Sequence, residues 1–581
     1  MIKRTLTFLA GVLVATSALA QLVEKPDLQG QAVSKALVTA TGATTGRPLA
    51  DRFSDFVNAK DFGVSPTNWD NTSAIAVAVT ALSASGTKGG CINFGIGTFR
   101  VAGSITLPSG VSLCGNAWST GTSGAVATMI QGTGTSGQVL ISVGNGSDNP
   151  NNNVVRDIVI EFANAQSSGA AIKVRNGHAI TLQHIRIGVN AYDGIVLEGG
   201  TEQYNYFLSD IEIGSGRRGI WIGPRVSGVP KLVQNVTMRN ISVAGVSGEA
   251  FYLQNVGGVQ GCIGCEALNV DRGLVIAPGN GEKVDGVLWQ GSFLDANTNG
   301  GLVIAPTGSA CTMWTTNTPP LCGLVSQLSF VNVRPAYSQA GPGVLIDSTG
   351  GGMVKGISFT NLESGLNYKD GVRVIGSNTS HIYLTNPKVS FNNVANAGGD
   401  QRPGIYFGAG VTKFSVIGGC SSDCSQQFPG TVNRQTYGVQ IAATADYYSV
   451  QGVNVTGNAT DGISYDVNAV HKAILGNIGA SDHIIQAPLR IVDTTSGDAA
   501  LYINGVGNLN GGAAIQLQGD GVTTPNKTVR AHNGAYQIAN NAYNAVIYQI
   551  SDGGVPTIPA SCSGQPTGKV WNDSGTLKVC P

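Results

Sequence analysis

Two acidic residues, Asp210 and Glu212, lie two positions apart in a segment that begins at Leu208 and alternates apolar with polar residues. If this segment is a strand, Ile211 and Ile213 face the core and both carboxyl groups point outward on one face. The two acids are then about 7 Å apart. Such a pair can divide the acid and base roles in cleaving a glycosidic bond. The alternative is an ordinary solvated strand face.

Polar and aromatic residues recur at the equivalent positions of neighbouring repeats. The segment at Leu182 has the same alternation and places His184 and Arg186 beside the two acids. Exposed aromatic rings bury the apolar faces of sugars, and charged neighbours bind hydroxyl groups. We therefore predict one site, with Asp210 and Glu212 as catalytic residues and with four substrate-binding residues, namely Arg186, His184, Trp221 and Tyr252.

A second group of acids precedes a long insertion at 306–323 that could form a groove wall. Asp285 and Asp295 are its two candidate catalytic residues, and Glu266 lies nearby in sequence. The six histidines are scattered along the chain, and no acidic cluster has the spacing of a calcium site. The sequence therefore predicts no metal site and no other cofactor.

A five-residue segment, or pentad, that begins with a small residue and then has apolar residues at alternate positions recurs eleven times. The elements that contain these pentads must position the candidate site residues. Successive pentads start 23 to 42 residues apart, and a second alternating run lies between many of them. A two-residue alternation within such a period is typical of one coil of a parallel β-helix. The pentads begin at Ala171, Gly194, Gly219, Ala250, Gly273, Gly301, Gly343, Gly371, Gly404, Gly438 and Gly462.

Other repeat folds and partners fit less well. A leucine-rich repeat needs a regular Leu frame that is absent, and a sandwich would not repeat one pentad at coil spacing. Glycine, at 82 of 581 residues, is about twice as common as usual, and charged residues, at 12 %, are about half as common. The net charge is zero, which argues against a nucleic acid or an anionic membrane as partner.

The N-terminus and the cysteines indicate an oxidising location. Residues 1–20 have two early basic residues, an apolar core and a small-x-small ending, the pattern of a secretory signal peptide rather than a membrane anchor. The ten cysteines form five pairs close in sequence, which favour disulfides over a zinc site. These pairs are Cys91 with Cys114, Cys262 with Cys265, Cys311 with Cys322, Cys420 with Cys424, and Cys562 with Cys580.

The stretch from Asn58 resembles the start of the pectate-lyase-like β-helix superfamily, which includes phage tailspike depolymerases and pectinolytic enzymes. It departs from the family pattern at 65–68, where a Gly-Asp-Gly turn is usual, and at Gly95, where proline is common. The run from Thr41 is similar to the linker that precedes the β-helix of many tailspikes. The matching residues are Asp61, Phe62 and Gly63, then 70–72, Ala74, Ile75, Gly89, Gly90, Phe94, Gly97, Phe99, 107–111 and 113–115.

The resemblance and the repeats together predict an all-β fold, a right-handed parallel β-helix solenoid with an N-terminal capping helix and a small C-terminal β-rich module. The predicted parts are a signal peptide at 1–20, a linker at 21–57, the β-helix at 58–486, a capping or oligomerisation module at 487–555 and a disulfide-tied tail at 556–581. The N-terminal pattern and the cysteines predict a secreted protein, extracellular or periplasmic, and the resemblance implies that it binds an extracellular or cell-surface polysaccharide and adds a virion as an alternative location. We predict hydrolysis by paired carboxylates; elimination by a lyase of the same fold and non-catalytic adhesion are the alternatives, and a homotrimer is implied by the resemblance only.

Overall fold

All eleven pentads lie in one parallel sheet of the computed structural model of the chain. This 13-stranded sheet takes one strand from each successive coil, so the predicted solenoid is confirmed. Its strands are Ile105–Leu107, Val139–Val143, Ala170–Arg175, Asp193–Glu198, Arg218–Ile222, Glu249–Leu253, Arg272–Ile276, Leu302–Ile304, Val344–Asp347, Val372–Ile375, Ile405–Phe407, Tyr437–Ile441 and Asp461–Ser464.

The structure describes most of the β-helix and parts of the C-terminal region. The described residues are 37–38, 47–48, 56–84, 89–116, 127–145, 149–200, 204–309, 311, 321–394, 402–424, 434–466, 468–480, 484–486, 514–517, 527–532, 535–540, 546–551, 563, 570–573 and 576–579. The predicted signal peptide, most of the linker and the predicted Cys562–Cys580 pair lie outside them. The chain divides into two compact units, Met1–Ala487 and Pro488–Pro581.

A small residue begins each pentad because neighbouring coils approach closely there. A Cβ atom at Gly194 would lie 2.5 Å from the carbonyl oxygen of Gly219 on the next coil. A Cβ at Gly273 would lie equally close to the carbonyl oxygen of Gly301. A contact this short is repulsive, so the position admits only glycine or, where the backbone gives a little more room, alanine.

The remaining strands of each coil form the other walls of the solenoid, and nearly all pair in parallel with the next coil. Three of them, Glu363–Gly365, Lys388–Ser390 and Cys420–Ser422, form a separate small sheet. The others are Phe56–Asn58, Gly90–Asn93, Gly97–Val101, Val111–Cys114, Thr128–Gly132, Val154–Phe162, Ile180–Ile187, Tyr206–Ile213, Val233–Ala244, Val256–Ile263, Glu266–Leu268, Lys283–Gln290, Phe293–Asp295, Leu324–Val331, Met353–Thr360, Thr379–Thr385, Thr412–Ile417, Asp446–Gln451, Lys472–Leu475 and Ile484–Gln486.

A corner between two of these walls is formed on each coil by one residue with positive φ. Such a residue turns the chain by leaving the strand conformation, a change that Gly and Asn make most easily. The strand residues on either side of the corner remain in register from coil to coil. The corner residues are Asp157, His184, Asp210, Asn240, Gly264, Gly291, Asn332, Asn361, Asn386, Gly418, Gly452 and Gly476.

The interior contains stacks of like side chains. Phe330 and Phe359, on neighbouring coils, stack with ring centroids 5.0 Å apart. A buried amide ladder runs beside this core: Asn367 Nδ2 donates to Asn392 Oδ1 at 2.8 Å, and Asn392 Nδ2 donates to Gln435 Oε1 at 3.0 Å. Each of these amides thus satisfies the next, so the side-chain donors of Asn367, Asn392 and Gln435 are all paired although they are buried.

The N-terminal opening of the solenoid is covered by the predicted helix, which spans Thr72–Ala84 and follows a 3₁₀ turn at Ala59–Phe62. Asp70 accepts a hydrogen bond from the Thr72 N–H at 2.9 Å, as expected for a residue that begins a helix. Ile75, Val79 and Leu82 are buried on the face that packs against the first coils. The fold-class prediction is confirmed in this respect too.

Four of the five predicted cysteine pairs are disulfides in the described residues: Cys91–Cys114, Cys262–Cys265, Cys311–Cys322 and Cys420–Cys424. Among the residues that the structure describes, no helix has both the length and the apolar character needed to span a membrane.

The C-terminal unit contains antiparallel strands. Ala514–Leu517, Lys527–His532, Ala535–Asn540 and Val546–Ser551 form a four-stranded sheet, and Val570–Asp573 pairs with Thr576–Val579. The short antiparallel strands Leu37–Val38 and Arg47–Pro48 pair with each other in the N-terminal part of the first unit.

We predict that Asn392→Leu destabilises the β-helix by at least about 2 kcal/mol, because it removes the buried amide that accepts from the Asn367 backbone N–H and Nδ2 and donates to Gln435 Oε1. The measurement is the urea midpoint of unfolding, followed by circular dichroism. Thr385→Ala, an exposed change in the same region of the solenoid, is the control and should stay within about 0.5 kcal/mol. Equal midpoints for the two variants would contradict a stabilising role for the ladder.

Candidate active site

A charged residue follows a corner asparagine by two positions on three successive coils, at 332–334, 361–363 and 386–388. The middle residues of the first two triplets, Val333 and Leu362, are buried. Because side chains alternate along a strand, the charged third residue points outward. The corner thus sets the outward direction of Arg334, Glu363 and Lys388.

These charged residues stand in one column with residues of the preceding coils. Phe293 pairs with Arg334, and Glu363 pairs with Lys388. The Glu363 N–H donates to the carbonyl of Val333, which puts Glu363 beside Arg334 on the next coil. We call this set the Arg334 column; its members are Glu266, Phe293, Arg334, Glu363 and Lys388.

A groove of about 580 Å³ runs along the column. The corner asparagines form part of its lining together with the aromatic ring of Phe293 and the charged side chains. This volume lies within the range of sites for small ligands. A polar lining with one aromatic ring fits a ligand that has hydroxyl groups and an apolar face.

Asp295 lies beside the column with its side chain only 14 % exposed. Its Oδ1 accepts a hydrogen bond from the Ala336 N–H at 3.2 Å, and its Oδ2 is 3.5 Å from Arg334 Nε. Burial raises the pKa of Asp295 to about 6, and the carboxylates of Glu363 and Glu266 add to the increase. Arg334 and the Ala336 N–H oppose it only in part. Asp295 can therefore carry a proton near neutral pH.

Arg334 is held above two aromatic rings and has capacity for a further partner. Its guanidinium carbon lies 5.9 Å from the ring centre of Phe293 and 5.7 Å from that of Tyr337. Its Nε is buried and faces Asp295 Oδ2 at 3.5 Å, without a hydrogen bond within the part of the chain that the structure describes. The guanidinium as a whole is a group that binds a ligand carboxylate or hydroxyl with directional bonds.

The first predicted site contains two residues with a structural role at the corners. Asp210 and His184 both have positive φ, so the strand alternation that predicted Asp210 to share a face with Glu212 is interrupted there. His184 Nδ1 lies 3.0 Å from Asp157 Oδ1, and Asn240 Nδ2 donates to Asp210 Oδ1 at 3.1 Å. These bonds connect successive corners. Both residues therefore have a structural role that requires neither catalysis nor substrate binding.

Glu212 and Arg186 lie in the extension of the Arg334 column. Arg186 pairs with Glu212, Glu212 with Ser242, and Ser242 with Glu266 along neighbouring strands. Arg186 Nε is 3.9 Å from Glu212 Oε2, and both side chains are more than 30 % exposed. An exposed pair of this kind contributes little to stability. Glu212 of the first predicted group and Glu266 of the second therefore belong to one column, and Asp295 lies beside it.

Trp221 and Tyr252 lie on the 13-stranded sheet, and not on the strands that carry Asp210 and Glu212. Their ring centroids are 5.9 Å apart, and the Arg218 guanidinium lies 4.2 Å from the Trp221 ring centre. Arg218 Nε also donates to Glu249 Oε2 at 2.8 Å. The six residues predicted as one cluster thus occupy two sheets, because the chain turns between them.

Asp285 is separated from Asp295 although both belong to one coil. Asp285 lies on Lys283–Gln290 and accepts a hydrogen bond from Ser326 Oγ at 2.6 Å. The corner at Gly291 then turns the chain before Asp295. Of this predicted pair, only Asp295 lies beside the Arg334 column, where the charges of Glu363 and Glu266 act on it.

Sequence reasoning missed Arg334, Glu363 and Lys388 as site residues. The signal that could have found them is the recurring triplet of asparagine, one further residue and a charged residue at coil spacing. Within the described residues no group of three or more His, Cys, Asp or Glu side chains could hold a metal ion.

The stacked parallel coils form a parallel β-helix, and the findings fit the pectate-lyase-like superfamily that the resemblance predicted. Residues 56–275 match the family model described as rhamnogalacturonase A/epimerase, pectate lyase-like. This match supports carbohydrate binding or degradation as the general activity. No curated protein matches the chain in sequence.

Several solved structures have a similar course of the chain. The A-module of mannuronan C-5 epimerase AlgE4 from Azotobacter vinelandii is 14 % identical with a TM-score of 0.43, over 72 % of this chain and 100 % of that one. A mutant tailspike protein of E. coli bacteriophage HK620, in complex with a pentasaccharide, is 10 % identical with a TM-score of 0.49, over 76 % and 82 %. ORF18 of Geobacillus virus E2 is 14 % identical with a TM-score of 0.32, over 92 % and 87 %.

The raised pKa of Asp295 predicts a pH-dependent contribution to stability. Between the ordinary pKa of 3.8 and about 6, the folded protein holds a proton that the unfolded chain has lost. The free energy of unfolding of the wild type, relative to Asp295→Asn, should therefore fall as the pH rises from about 4 to 7 and then level off. Urea midpoints of both proteins across this range measure it.

Phe293→Leu, an uncharged change in the same groove, is the control for that titration. Its difference from the wild type should not follow the pH in this way. A constant difference between the wild type and Asp295→Asn would mean that Asp295 does not titrate near pH 6.

Proposed function

We propose that the protein binds an extracellular or cell-surface polysaccharide in the groove along the Arg334 column and hydrolyses it with paired carboxylates. The single observation that carries the proposal is Asp295, a half-buried acid with a pKa of about 6 beside two further carboxylates. Glycosidases use one carboxyl group in its acid form and one as carboxylate, and neighbouring charges commonly separate the two.

Asp295 is the proposed general acid. It donates its proton to the glycosidic oxygen as the bond from that oxygen to the anomeric carbon breaks. Glu363 is the proposed base: it takes a proton from water as the water oxygen bonds to the anomeric carbon. Arg334, between them, orients a hydroxyl or carboxylate of the sugar, and Phe293 packs against its apolar face.

The spacing of the strands favours a direct attack by water. Asp295 and Glu363 are separated by two steps of the stack, which is about 10 Å along the axis at the usual distance between strands. Inverting glycosidases hold their carboxyl groups about 6.5–9.5 Å apart to admit a water molecule, and flexible side chains can bridge the remaining difference. We therefore propose inversion at the anomeric carbon.

Elimination is the second candidate, because Arg334 and Lys388 line the same groove. A lyase neutralises a uronate carboxylate with a cation while a base removes the adjacent proton, and the glycosidic C–O bond breaks to leave a double bond as the departing oxygen takes up a proton. No water is consumed. Both reactions yield a new reducing end, but hydrolysis leaves the new non-reducing end saturated and elimination leaves it unsaturated, so that it absorbs in the ultraviolet.

The location and assembly of the protein are also proposals. The N-terminal pattern of residues 1–20 and the disulfides support secretion into an oxidising compartment. A homotrimer follows from the resemblance to tailspikes alone, and light scattering of the purified mature chain tests it.

The decisive test is a pair of isosteric changes. Asp295→Asn and Glu363→Gln should each lower the rate of polysaccharide shortening by about 100-fold or more, because each removes one proton-transfer group. The assay counts new reducing ends and measures ultraviolet absorbance after incubation of each protein with bacterial and plant polysaccharides. Thermal unfolding of each variant shows whether the fold is intact.

Asp210→Asn and Glu212→Gln are the matched controls, since they change acids of the rival site. Both should retain most of the activity. Full activity of Asp295→Asn together with loss of activity in Glu212→Gln would place the reaction at the first predicted site. If the wild type and all variants bind polysaccharide without shortening it, the protein is a binding protein and not an enzyme.

A further inference from the structure

A second groove lies on other strands of the solenoid, towards the C-terminal end of the β-helix. It has a volume of about 490 Å³ and is lined by residues of four strands on successive coils. These strands are Thr379–Thr385, Thr412–Ile417, Asp446–Gln451 and Lys472–Leu475. It shares no lining residue with the groove along the Arg334 column.

The floor of the groove is a column of outward-facing side chains on successive strands, and these side chains become smaller towards the C-terminal end of the β-helix. Tyr383 pairs with Ser415, Ser415 with Ser449, and Ser449 with Ala473. Tyr383 is 41 % exposed and stands above the short side chains that follow it. The decrease in size leaves a trough about as wide as one column of the sheet, with an aromatic ring at one end.

One side of the trough is formed by residues at a second bend of the coils. His381, Lys413 and Tyr447 occupy this bend on consecutive coils, and all three have positive φ. The Tyr447 ring, 51 % exposed, stacks on the His471 ring with centroids 3.9 Å apart and planes 8° apart. The stack is fixed further by Asp446, whose Oδ2 lies 3.0 Å from His471 Nδ1.

The surroundings of the trough are positively charged. Lys355 and Lys413 are exposed, and neither forms an ion pair within the part of the chain that the structure describes. Burial, together with the charges of Lys413 and Lys355, lowers the pKa of His381. The carboxylate on the trough side, Asp446, is already engaged by His471. An anion placed in the trough would therefore meet two cations that form no ion pair with any residue that the structure describes.

We propose that this groove is a second saccharide-binding site, specific for an acidic oligosaccharide. A sugar ring packs against the exposed tyrosine faces, and its carboxylate or other acidic group pairs with Lys413 and Lys355. The chain as a whole has no net charge, and two lysines do not form the extended basic stripe that nucleic acids need. The site does not depend on cleavage at Asp295.

The test uses asparagine substitutions at the bend. Asn tolerates positive φ well, so Lys413→Asn and Tyr447→Asn remove the charge or the ring without straining the backbone. Binding of uronate hexasaccharides (galacturonate, mannuronate and hyaluronan fragments) is measured by calorimetry in the Asp295→Asn background, which prevents cleavage. Each substitution should weaken binding of the preferred acidic probe about tenfold or more.

The controls are matched in residue type. Tyr368→Ala and Lys369→Asn change an exposed tyrosine and an exposed lysine outside both grooves and should leave affinity unchanged. If the galacturonate hexasaccharide is the preferred probe, its methyl-esterified, uncharged form should bind at least about tenfold more weakly. Added salt should weaken the binding of the acidic probe.

Three results would overturn the proposal. They are the absence of binding by every acidic probe, equal affinity of Lys413→Asn and the background protein, and tighter binding of a single-stranded oligonucleotide than of any uronate. Failure of the hydrolysis proposed for Asp295 would leave these binding results unchanged, so the two proposals fail separately.

Discussion

Register between successive coils is the constraint on which the rest of this protein depends. Each residue lies about 4.8 Å from its equivalent on the next coil, the spacing of hydrogen-bonded strands. Whatever occupies one position must therefore be compatible with the same position above and below. Apolar residues stack in the interior, corner asparagines bond to one another, and small residues recur where coils approach most closely.

The same constraint determines how charges can be arranged on the outside. Like charges in one column would repel at this spacing, so the Arg334 column alternates an acid, an aromatic ring, a cation, an acid and a cation. Asp295 is placed beside the column rather than in it. Its burial and its two carboxylate neighbours outweigh the single nearby guanidinium, so its pKa rises although Arg334 is close. The pKa of an acid beside a column can thus be raised by the same stacking that stabilises the solenoid.

The two grooves arise from departures from this regularity. Along the Arg334 column, the three-residue strands after each corner leave a polar channel between neighbouring walls. On the other wall, Tyr383 is followed by serine and alanine, and the column changes from large to small within one coil. A regular stack buries its interior without forming pockets, so the irregular columns are where ligands can bind.

The sequence by itself determined the solenoid, the sheet formed by the pentads, the capping helix and the pairing of neighbouring cysteines. These features follow from local period and from the size of residues such as Gly194 and Gly273, which the sequence displays directly. Only the tertiary structure decided which acids share a surface. Corner positions are occupied by residues as different as Asp210, His184 and Gly291, and coil lengths vary, so the sequence does not reveal where the chain turns. Asp295 and Glu363 are far apart along the chain, and the burial that raises the pKa of Asp295 comes from neighbours that only the stacking of coils brings together.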